Sequence, residues 1–161
     1  MTKEGLAREV VRYGSAELGL SDIIVMFERE DVFAHPGVEA VFEPNMYVIA
    51  FNVDWMEDAS YEDVIRVALH ETRHAYQKAN IDFPEHFIGC ENEHTVDAWK
   101  KAMREYSVPY GDYEDYNNQI LEKDANEFAI KKEKEILYKI KEADGGVREI
   151  NILSNNKVIV R

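Results

Sequence analysis

Ser60-Tyr61-Glu62-Asp63-Val64-Ile65-Arg66-Val67-Ala68-Leu69-His70-Glu71-Thr72-Arg73-His74-Ala75-Tyr76-Gln77-Lys78-Ala79 is the stretch on which the fold turns. Ser60 with Asp63 three residues on forms a capping box, so a helix is expected over 61–79. At roughly 100° per residue, Val64, Ile65, Ala68, Leu69, Ala75 and Tyr76 share one arc, from about 120° to 260° measured from His70. That arc is the expected core face. His70 and His74 stand one turn apart at its border, about 40° from each other. Two imidazoles so placed can hold one tetrahedral zinc ion. Glu71 projects beside them, where a carboxylate can take a proton from metal-activated water.

Working outward, residues 4–18 read as a helix on the apolar positions Leu6, Val10, Val11, Ala16 and Leu18. Residues 22–28 are rich in β-branched and aromatic types and read as a strand. His35-Pro36-Gly37 is a turn. Strands are expected over 38–43 and 46–53, split by Glu43-Pro44-Asn45 into a hairpin. Beyond the motif helix, 81–91 reads as a loop, 92–106 as a helix and 107–115 as a tyrosine-rich loop. A long helix is expected over 116–143, stopped by Asp144-Gly145-Gly146. A terminal hairpin, 147–153 with 156–160, turns at Ser154-Asn155-Asn156. The expectation is one α+β domain over 1–161, with a small antiparallel or mixed sheet packed on the motif helix and the long helix.

Composition narrows the function classes. A net charge of −13 repels phosphate backbones and anionic lipid heads, so neither nucleic acid nor a membrane surface is an expected partner. Cys90 is the only cysteine, which excludes an intrachain disulfide and a cysteine-based zinc knuckle. A lone thiol, an N-terminus without an apolar signal segment and no apolar run of about 20 residues point to a cytoplasmic location.

A catalytic zinc keeps three protein ligands and one open position, so a third ligand is needed. Candidates are His86, His94 and a carboxylate. On the long helix, Ala125, Ile136, Ala129, Ile140, Leu137 and Ile130 span about 300° through 0° to 80° when Glu122 is taken as zero. Glu122 then points into the apolar face, where an ionised carboxylate is costly unless it is paired or binds a metal. Asn126 lies one turn along and can orient a ligand from outside the coordination shell. Glu133 shares the face, so the pattern does not single out Glu122.

Together, His70-Glu71-Thr72-Arg73-His74 and Glu122-Lys123-Asp124-Ala125-Asn126-Glu127-Phe128-Ala129 resemble the zincin metallopeptidases of the glutamate-ligand type. Within them the chain looks most like the ImmA/IrrE-type family, whose pattern is a HExxH helix followed by a helix reading E-x-x-A-N-x-F-A. The resemblance implies a zincin-like fold and a cytoplasmic peptidase acting on a peptide or protein substrate. It implies one zinc held by His70, His74 and Glu122, with Glu71 as general base and Asn126 supporting a ligand. Zincins receive extended substrate on a sheet edge ahead of the motif helix, which 38–53 can supply; an ordinary hairpin packed on helices is the equal alternative. Arg73 stands where members often carry glycine, and the interval from His74 to Glu122 is longer than theirs.

Zincin chemistry also needs an electrophilic helper at the substrate carbonyl. Tyr106, Tyr110, Tyr113, Tyr116, His86 and His94 are candidates by type. Two other functions stay open. One is a catalytically silent regulatory or binding protein on a zincin fold, for which a fourth ligand such as His86 or His94 would close the site. The other is a metal-free helical interaction protein.

Overall fold

The chain's structure is a computed structural model, which describes the backbone of residues 1–106, 113–144, 150–152 and 158–160 and the side chains of 1–105 and 120–138. Helix α1 (Lys3–Leu18) starts on Thr2, whose hydroxyl accepts from the Gly5 N–H, and stops at Gly19 in the left-handed conformation. Strands β1 (Ile24–Glu28), β2 (Ala40–Glu43) and β3 (Val48–Asn52) follow. Next come α2 (Val53–Asp58), α3 (Tyr61–Asp82), α4 (Glu93–Tyr106) and α5 (Tyr113–Asp144). Strands β4 (Ile150–Ile152) and β5 (Val158–Val160) pair antiparallel in a separate two-stranded ribbon.

The expected α+β class is present among the described residues: five α-helices and a three-stranded mixed sheet. The sheet order is β1-β3-β2, with β3 parallel to β1 and antiparallel to β2. The expected hairpin is the β2–β3 pair. Strand β3 sits in the middle and buries four of its five residues. Its exit differs from expectation, because Asn52 turns the chain into α2 where strand was expected to run to 53. The Asn52 side chain accepts from the Asp54 and Trp55 N–H groups, which caps a helix one turn and a half long. The tyrosine-rich stretch also differs: α5 already begins at Tyr113, and 107–112 lie outside the described residues. The expected turn at Ser154-Asn155-Asn156 lies outside them too.

Helix α3 is the spine. The capping box at Ser60 and Asp63 is formed in both directions. Val64, Ile65, Ala68, Leu69, Ala75 and Tyr76 are all buried. The α3 core face packs on α1, α5 and β2. Gly14 of α1 meets it closely: a Cβ there would lie 3.2 Å from Thr72 Cγ2. A second apolar cluster of Tyr76, Trp99, Ala102 and Leu121 joins α3, α4 and α5. No helix among the described residues is long and apolar enough to cross a membrane.

Candidate metal centre

The α3 edge that carries His70 and His74 faces α5 at Glu122. The two Nε2 atoms are 3.0 Å apart, and each lies 3.1 Å from a Glu122 carboxylate oxygen. Ligand atoms around a tetrahedral zinc with bonds of about 2.0–2.2 Å sit roughly 3.4 Å from one another, so the donor set fits with a shift of a few tenths of an ångström. Among the described residues these three form the only such group of histidine, cysteine and acidic side chains.

Glu122 is not buried as the helical pattern suggested: its side chain is 48% exposed. The pattern counted Ile130 as core, yet Ile130 is exposed. Among the described residues α5 buries Leu121, Ala125, Ala129, Glu133 and Ile136, centred about 40° to one side of Glu122. Glu122 therefore stands at the border of its core face, as the histidines do on theirs, and the two borders meet. Glu133 is the carboxylate that enters the core. It forms a two-toothed pair with Arg66, at 2.8 and 2.9 Å.

Electrostatics bind the cluster together. Hydrogen bonds from His70 and His74 hold the Glu122 carboxyl far below the usual carboxylate range. Burial works against a charged His74, but the hydrogen bond to Glu122 and the charge of Glu71 outweigh it and raise the imidazole to about 9. Both Nδ1 atoms face amide oxygens: His70 at 2.8 Å from Asn126 Oδ1, His74 at 2.9 Å from Gln77 Oε1. The Nε2 atoms thus converge on one point shared with a carboxylate, where either protons or a cation can satisfy them.

Glu71 is buried beside this point. Its Oε2 accepts a 2.8 Å hydrogen bond from the Phe42 N–H of edge strand β2. Burial raises its pKa, and the two histidines and the Phe42 N–H oppose that rise. The amide of Phe42 is therefore committed to Glu71, so an extended chain added along β2 has to pair on either side of that position.

Arg73 has a structural setting that its place in the motif did not suggest. Its guanidinium bonds both oxygens of Asp124, at 2.8 and 3.0 Å, and reaches Glu91 at 3.2 Å. It also lies over the rings of Tyr76, Trp99 and Phe128. Gln77 and Asp124 were not among the residues read from the sequence. A polar Gln77 three residues after His74, on the same helix edge, was the available signal.

The remaining candidates stand apart. His86 is 72% exposed and lies 3.6 Å from Glu85, while His94 and Cys90 are exposed. His35 lies in the exposed bend ahead of Pro36-Gly37. The side chains of Tyr106, Tyr110, Tyr113 and Tyr116 lie outside the described residues. Compared with known proteins, the chain matches no protein-family model, no curated protein and no solved structure.

Proposed function

We propose that the protein is a zinc-dependent hydrolase, a peptidase of zincin type, with the metal held by His70, His74 and Glu122. The observation that carries this reading is the convergence of two Nε2 atoms and a carboxylate to 3.0–3.1 Å, with the Glu71 carboxylate buried on the next helical position. Zinc in such a site supplies Lewis acidity, polarising a carbonyl and making water acidic near neutral pH.

The chain's own residues do the rest. Glu71 takes a proton from the attacking water and returns it to the leaving amine. Its raised pKa suits a group that must hold that proton between the two steps. The Phe42 N–H fixes one of its oxygens and so its orientation. Asn126 holds the His70 ring. The likeness to the ImmA/IrrE-type family supports a cytoplasmic enzyme acting on protein substrates. His86 and His94 stand away from the cluster, which leaves three protein ligands among the described residues and favours turnover over a closed structural site.

Metal content by mass spectrometry on wild type, Glu122→Ala and His74→Ala tests the centre. One zinc per chain, lost in both variants, is expected. No metal in wild type after zinc addition would exclude the hydrolase. Zinc retained in Glu122→Ala would move the third ligand elsewhere.

A further inference from the structure

Gln77 is fully buried three residues beyond His74, and all of its polar atoms are engaged. Its Nε2 donates to the Leu121 carbonyl at 3.0 Å and to Asp124 Oδ2 at 2.8 Å. Both partners can only accept, so the nitrogen and oxygen of this amide cannot be exchanged. The oxygen must therefore face His74, 2.9 Å from Nδ1, and an amide oxygen there can only accept. Nδ1 carries the hydrogen, and the lone pair of the neutral ring is on Nε2, the atom that meets His70 and Glu122.

Asp124 decides the orientation, and Arg73 decides Asp124. The two-toothed Arg73 contact fixes the plane of the Asp124 carboxylate, while Tyr76, Trp99 and Phe128 hold the guanidinium. Arg73, His74 and Gln77 lie along one edge of α3, while Asp124 is two residues from Glu122 on α5. The same two helices thus carry both the donor atoms and the groups that aim them.

We propose that Gln77 is the positioning residue of the metal centre, locked by Arg73 and Asp124 so that His74 can offer only Nε2 to a metal. The chain Arg73–Asp124–Gln77–His74 fixes ring orientation and tautomer together. This inference rests on the metal reading above. It adds a role for Arg73, the residue by which the motif differs from its usual form.

Zinc affinity by competition with a chromogenic chelator tests it, on wild type and Gln77→Met. Methionine matches the volume of glutamine and has no comparable acceptor. Gln77→Met is expected to bind zinc 10- to 100-fold more weakly. Nitrogen NMR of the zinc-loaded wild type is expected to show His74 coordinated through Nε2, with a protected proton on Nδ1. Wild-type affinity in a folded Gln77→Met overturns the proposal. So does coordination through Nδ1, which is read on the wild type and needs no variant to fold. A wild type that binds no zinc overturns the metal reading as well, whereas equal binding by wild type and Gln77→Met overturns this inference alone.

Discussion

Glu71 and Arg73 neighbour the same two histidines and do opposite jobs. Glu71 is a buried carboxylate with a backbone donor on one oxygen. Glu71→Gln keeps the size and the donor set but cannot take a proton. It is expected to retain zinc and lose about 10²- to 10⁴-fold in peptide hydrolysis, read on a fluorogenic peptide mixture. Arg73 is a cation shared by Asp124 and Glu91 under three aromatic rings, with a side chain only 12% exposed. Arg73→Ala leaves two carboxylates uncompensated, and a loss of about 3 kcal/mol is expected in urea denaturation. Lysine restores the charge but not the two-toothed contact, so Arg73→Lys is expected to fall between. The two glutamates of α5 show why periodicity did not suffice at this scale. Glu122 and Glu133 share a helical face, and packing against α3 separates them: Glu133 is buried against Arg66, and Glu122 stays half exposed beside two imidazoles.

At the scale of elements, α3 is built from its first residue. Ser60 caps the helix, and its hydroxyl and backbone N–H hold the Asp63 carboxyl below its usual pKa. Ser60→Ala is expected to cost about 1 kcal/mol, read by thermal melting. The sign of the pH dependence follows from the depressed pKa. Asp63 contributes at neutral pH, and its contribution is lost as pH falls below about 4 toward its lower folded value. In Ser60→Ala that acid-sensitive part of the stability curve is expected to shrink. The α1–α3 contact is set by Gly14, where a side chain would press on Thr72 and Leu69. Gly14→Val is expected to cost about 1–3 kcal/mol through overpacking, although glycine is the weaker helix former. The β2–β3 turn is pinned differently. Tyr47 takes a positive φ of 52°, and its hydroxyl donates to Asp82 at the end of α3 while its ring packs on Phe42 and Phe83. That pin holds the edge strand whose amide orients Glu71.

Over the whole molecule, the proposed centre ties α3 to α5, and both helices join the main core. A cation bound between them is expected to stabilise the native state as a unit. Zinc at 100 times its dissociation constant would contribute about 2.7 kcal/mol. For a chain of this length that corresponds to a rise of roughly 5–10 °C in Tm, reversed by a chelator, and calorimetry with and without zinc measures it. His74→Ala is expected to show no such rise.

The sequence by itself determined the α3 helix with its cap, its core face and the histidine pair beside Glu71, because these depend on local periodicity and short-range hydrogen bonds. It determined the alternation of strands and helices for the same reason, and it put Glu122 and Asn126 on one face of α5, although it set Glu122 within the apolar core and the fold leaves it half exposed at the border. It did not determine that β3 lies parallel to β1, or that Asn52 ends the strand by capping a helix. Nor did it separate Glu122 from Glu133, or disclose that Gln77, Asp124 and the Phe42 amide surround the histidines. The Phe42–Glu71, Gln77–Asp124 and His70–Glu122 contacts join groups 29, 47 and 52 residues apart along the chain. A pair so distant leaves no period in the sequence. Only the packing of α3 against α5 and β2 brings its members within hydrogen-bond reach.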